Sequence, residues 1–233
     1  MNSNIATYLD EHEIQKAQTD FLSKVYAWMV GGLLLTSLTA WYVFEKGLWW
    51  DIASNSILFY GLIIGELALV VALSAGIKKF STLTAASLFL LYSLLNGLTF
   101  SVILAAYTSE SVGQVFLITA AMFGTMSMFG WLTKKDLSGM GRFMFMGLIG
   151  VIIATLVYII FPISALNFAI SVIGVIVFSG LTAWDTQKLK QMYMVQLEGG
   201  EAAAKASIIG ALMLYLDFIN LFLFMLRIFG GRD

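Results

Sequence analysis

Residues 207–229 read SIIGALMLYLDFINLFLFMLRIF. Apart from Asp217 and Arg227 this run carries no charge, and it is apolar on every side of a helix, a pattern suited to lipid rather than to a soluble core. At about 20 residues it is long enough to cross a ~30 Å hydrocarbon core as an α-helix. Six comparable runs precede it, at Val25–Phe44, Ser56–Ile77, Leu83–Tyr107, Val112–Leu132, Phe143–Phe161 and Leu166–Trp184. The sequence therefore predicts an all-α membrane protein with seven transmembrane helices. A β-barrel is excluded, because the runs are about twice too long for barrel strands and lack two-residue alternation.

The composition agrees. Of 233 residues, 60% are hydrophobic and only 12% charged, and the mean hydropathy is +0.89, far outside the soluble globular range. There is no Cys, one Pro and one His, which removes disulfides, thiolate metal sites and Cys nucleophiles. The single His12 lies in the polar leader, so neither an intramembrane serine protease, which needs a base at membrane depth, nor a zinc hydrolase is supported. Residues 207–229 contain no Lys for a retinal Schiff base. No glycine run leads to a Gly-Lys-Ser/Thr phosphate loop. These exclusions argue against an enzyme and against nucleotide or nucleic-acid partners, and no cofactor is expected.

Residues 1–24 form a polar leader of mixed charge, which separates the chain into 1–24 and a transmembrane domain at 25–233. Basic residues give the orientation. Lys16, Lys24, Lys78, Lys79, Lys134, Lys135, Arg142, Lys188, Lys190 and Lys205 fall at one set of helix ends, and only Lys46, Arg227 and Arg232 at the other. Ten against three predicts a cytoplasmic N-terminus and, with an odd number of spans, a C-terminus outside. Trp41, Trp49, Trp50, Tyr107, Trp131, Trp184 and Tyr193 lie at run ends, where amphipathic rings favour the headgroup region. Small residues, Gly61 and Gly65, Ala120 and Gly124, and Gly174 and Gly180, are expected to mark close helix packing.

The chemistry lies in the few ionisable residues of the apolar runs. Glu66 and Asp217 each sit ten residues into a span, ~15 Å at 1.5 Å per residue and so near the bilayer midplane, while Asp185 follows the sixth run directly. Insertion of an Asp at a helix centre costs about 2.5 to 3.5 kcal/mol, so such a group faces the bundle interior with a partner or a proton. Gly210, Met213, Asp217, Asn220, Phe224 and Arg227 form one stripe of the last helix, expected to point inward. The plain alternative is that Asp217 and Asn220 only join helices by hydrogen bonds.

Four segments carry a family resemblance. Leu214-Tyr215-Leu216-Asp217-Phe218-Ile219-Asn220-Leu221-Phe222 resembles the C-terminal helix motif of the Bax inhibitor-1 family, and Thr182-Ala183-Trp184-Asp185-Thr186-Gln187 resembles the aspartate motif ending its sixth helix. Lys134-Lys135-Asp136-Leu137-Ser138 and Asn96-Gly97-Leu98-Thr99-Phe100-Ser101 are similar to family segments at the same places. The resemblance implies two three-helix layers around a central C-terminal helix. It also implies a pH-sensitive calcium leak in a bacterial inner membrane, gated by Asp185 and Asp217, with calcium as the transported ion. Two carboxylates in a poor dielectric cannot both stay ionised, and their oxygens are hard ligands suited to calcium. By the same resemblance Glu66 and Asn220 belong to the ion pathway, and Lys78 or Lys79 is the basic partner of the latch.

Two readings stand beside this one. The chain is alternatively a regulatory membrane protein that binds a membrane protease or another membrane complex and transports nothing. A proton-coupled carrier would use Asp217 and Glu66 as relay groups, but the single Pro162 lies at a boundary and gives no broken helix of the kind carriers use.

Overall fold

The computed structural model describes residues 10–231, so the first nine residues of the leader and Arg232 lie outside the described residues. The elements are α1 (Glu11–Glu45), α2 (Trp49–Ser54), α3 (Ser56–Gly76), α4 (Thr82–Leu104), α5 (Ser109–Leu132), α6 (Ser138–Ile160), α7 (Ser164–Gln191), α8 (Tyr193–Glu198) and α9 (Gly200–Phe229). All described elements are helical. Seven of them, α1, α3, α4, α5, α6, α7 and α9, are long and apolar enough to span a membrane.

Local chemistry explains several boundaries. Asn55, Ser81 and Thr108 precede α3, α4 and α5, and their side-chain oxygens accept from the backbone N–H groups of Leu58, Thr84 and Ser111, filling donors that the first turn leaves free. Gly47, at φ 72°, turns the chain out of α1, and Gly199, at φ 68°, turns it from α8 into α9. These left-handed positions cost glycine nothing. Pro162 falls in the short α6–α7 connection.

Helix α1 begins earlier than the hydropathy alone suggests. Ala17, Phe21 and Leu22 are buried, so the described half of the leader is the opening of α1 and packs into the bundle on the same stripe as Val25 and Met29. The reason is amphipathic: this segment is too polar to register as a span, yet its apolar residues fall on one helical face.

α9 is the axis of the molecule. Of its most apolar stretch 72% is buried, against 6% for α3 and for α6. α9 touches α1, α4, α5 and α7, while α3 packs chiefly on α4 and α6 on α7. The other six spans thus fall into two sets, α1, α4 and α3 on one hand and α5, α7 and α6 on the other.

The close-packing glycines are not all those expected. A Cβ at Gly174 would meet the Phe224 ring at 2.6 Å and one at Gly180 would meet Met144 at 2.7 Å, but Gly61 and Gly124 have open space beside them and Gly65 meets only Leu95 at 3.9 Å. Tight approaches occur instead at Gly32, Gly97, Gly130 and Gly141. Small residues permit contact; which of them make it depends on the neighbour each helix receives. The Trp184 ring, expected at the headgroup level, lies across Gly141. The Tyr193 side chain lies outside the described residues.

Candidate functional site

The antiparallel packing of α7 on α9 brings Asp185 and Asp217 together. Both are buried, at 9% and 4% exposure, and their carboxyl groups lie against each other. Two buried carboxyl groups in contact favour sharing one proton, because both cannot stay ionised in a poor dielectric. Asp217 Oδ2 is buried and meets no N–H or hydroxyl donor. The positive charge that reaches Asp185 is Lys188, one turn further along α7. The Lys188 ammonium also lies 5.3 Å from the centre of the Trp184 ring.

The surroundings fix the depth of the pair. Gln187 accepts from Leu137 N at 2.8 Å and donates to Lys135 O at 2.8 Å, so the α5–α6 connection is clamped onto α7 only two residues past Asp185. Lys190 secures the same corner, donating to Trp131 O at 2.9 Å. Asp217, packed against Asp185, is therefore held close to the lysine-bearing α5–α6 connection. α9 starts at Gly200, well before the apolar run, and counting along one helix does not register how it is offset against α7. A second polar contact adjoins the pair: Tyr26 of α1 is hydrogen-bonded to Ser127 of α5, which is 2.8 Å from Thr186 of α7.

Comparison with known proteins now bears on this arrangement. The family described as Inhibitor of apoptosis-promoting Bax1 matches residues 18–233. The chain belongs to the Bax inhibitor-1 family. An inner membrane protein of Escherichia coli, YbhL, is 50% identical over 91% of this chain and 92% of its own length. A protein of Deinococcus radiodurans is 45% identical over 91% of each chain, and a membrane protein of Streptococcus pyogenes is 40% identical over 91% of this chain and 93% of its own. The resemblance carried by residues 182–187 and 214–222 is thereby borne out, and both aspartates lie within the stretch that matches the Bax inhibitor-1 family.

The remaining residues singled out in the sequence lie elsewhere. Glu66 is half-buried between α3 and α4, where its Oε1 accepts from Thr99 Oγ1 at 2.5 Å. α3 does not pack on α7, so Glu66 is not brought to the aspartate pair. Asn220 is half-buried and donates to Leu216 O of its own helix at 2.8 Å. Of the stripe expected to face inward, Gly210, Asp217 and Phe224 are buried, Met213 and Asn220 half-buried, and Arg227 exposed. Lys78 and Lys79 are exposed just past the end of α3.

The sequence did not disclose Tyr26, Ser127, Thr186, Gln187 or Lys188 as neighbours of the pair. Hydroxyl residues in membrane helices usually bond their own backbone, as Thr125, Thr155, Ser171, Ser179 and Thr182 do here. The useful signal was proximity to Asp185, since Thr186, Gln187 and Lys188 follow it directly. α9 carries a separate polar cluster towards α1 and α4, where Tyr215 OH lies 2.6 Å from Thr36 Oγ1, which donates to Ser93 O at 2.8 Å.

Proposed function

We propose that this membrane protein is a calcium leak whose gate is the Asp185–Asp217 pair. The observation that carries the reading is a pair of buried carboxyl groups, one on α7 and one on α9, lying against each other. With a proton between them the two helices are drawn together. Once that proton leaves, like charges meet at short range in a poor dielectric and repel, so α7 and α9 part and the oxygens are free to take a calcium ion in transit. Among the described residues no three acidic or imidazole side chains converge. The pair would thus supply two ligand groups and water or backbone carbonyls the rest, which suits an ion that passes and does not stay.

Lys188 is the basic group of this gate in our reading; Lys78 and Lys79, beyond α3, stand apart from it. Glu66 with Thr99, and Asn220 one turn along α9 from Asp217, would act further along the path. That the Escherichia coli relative is an inner membrane protein supports an inner-membrane location, and the lysine distribution supports a cytoplasmic N-terminus and an outer C-terminus.

Calcium efflux from sealed vesicles containing the purified protein tests the proposal. Efflux is expected to be faster at neutral than at acidic pH. Efflux equal to that of protein-free vesicles at every pH would end the channel reading and leave the regulatory one.

A further inference from the structure

Helices α1 and α5 both pack on α9 yet scarcely touch each other; they meet at the Tyr26–Ser127 hydrogen bond. Between them runs a crevice of about 780 Å³ with Leu22, Met29, Leu33, Phe116 and Phe123 on its walls and Phe218 of α9 behind them. Its α1 side extends from Thr19 to Ser37, which at 1.5 Å per residue is ~27 Å, close to the ~30 Å of a hydrocarbon core. A second cavity of about 330 Å³ shares Leu33, Ser37, Phe116 and Phe218 with it and prolongs the groove towards the far end of α5. Gly124 lines the crevice with nothing within 4 Å of where its Cβ would stand. The groove is apolar, as long as a lipid leaflet is deep or longer, and open to the side.

One end of this groove is charged. Lys16 precedes Thr19 by three residues on the same face of α1, Lys134 and Lys135 follow the end of α5, and all three are exposed. Lys190 stands 5.0 Å from the centre of the Trp131 ring, and Trp131 lines the crevice. Glu13, Asp20 and Asp136 are the acidic residues nearest these lysines in sequence, so four cations outweigh three anions at this mouth. Thr19 and Ser23 add hydroxyls at the same end. Basic pockets between membrane helices recognise anionic headgroups, whereas a purely apolar groove does not distinguish one lipid from another.

We propose that the α1–α5 crevice is a binding site for one anionic phospholipid, with an acyl chain along Phe116, Phe123 and Phe218 and the phosphate among Lys16, Lys134, Lys135 and Lys190. This site is separate from the aspartate gate and does not depend on calcium flux. Native mass spectrometry of the full chain in mild detergent, with equal amounts of dioleoyl phosphatidylglycerol and dioleoyl phosphatidylcholine, is the test. One phosphatidylglycerol should be retained in preference. Each of Lys16→Ala, Lys134→Ala and Lys135→Ala should weaken retention by about fivefold. Gly124→Phe should abolish retention by filling the groove. Met128→Trp, at an exposed position of the same wall, should do so without touching the core. Equal retention of the two lipids, or retention undiminished in both groove-filling variants, would overturn the proposal.

Discussion

Gly130 of α5 lies against the backbone carbonyl of Ala183 in α7, so closely that a methyl group at Gly130 would overlap it. Ala183 is two residues from Asp185, and the contact sets the spacing of α5 and α7 beside the pair. Gly130→Ala should cost about 1–3 kcal/mol through overpacking. Gly124→Ala, with open space around it, should leave stability within about 0.5 kcal/mol of the parent. Unfolding in detergent measures both, and equal effects of the two substitutions would refute the account.

Substitution at the pair addresses the gate itself. In Asp217→Asn the amide donates permanently to Asp185, taking over the place of the shared proton. Calcium efflux in the parent should rise from acidic to neutral pH, by at most about tenfold per unit if one proton is released. In Asp217→Asn and Asp185→Asn it should be low and flat. An unchanged pH profile in either variant would remove the pair from the gate.

Gln187 satisfies two backbone groups of the α5–α6 connection at once. Gln187→Leu would strand a buried donor and leave an acceptor short, at a cost of about 2 kcal/mol or more. If the loss is local, the Leu137 amide should exchange with solvent about 30-fold faster. Unaltered exchange at Leu137 would show that the clamp is dispensable.

Tyr215→Phe removes the hydroxyl that meets Thr36. The loss should be about 1 kcal/mol, as for other hydrogen bonds between membrane helices, and the pH profile of calcium efflux should not move, because this cluster faces α1 and α4. A shifted profile would mean that the two polar clusters of α9 are coupled.

Asp136 lies outside the membrane spans. Hydrogen bonds from Ser138 and the nearby Arg142 hold its carboxyl below the usual carboxylate range. A carboxyl lowered in the folded state contributes stability that is present above its ordinary value of about 3.9 and fades as pH falls through the folded value. The difference in unfolding temperature between the parent and Asp136→Asn should therefore be visible at neutral pH and shrink below about pH 4. A difference constant from pH 7 to pH 3 would contradict this.

The sequence by itself determined that the chain is all-helical and crosses the membrane seven times. Length and hydrophobicity of a run are properties of contiguous residues, and lipid admits no other backbone solution for them. It also singled out Asp185 and Asp217, because carboxyl groups in such runs are costly enough to be conspicuous. Only the tertiary structure decided that these two meet, that Glu66 stands apart with Thr99, that Lys188 is the cation beside Asp185, and that α1 and α5 part into a crevice. Those facts depend on the offset and rotation of one helix against another. Side chains distant in sequence set both through contacts such as Gly130 on Ala183, and periodicity along a single helix carries no record of them.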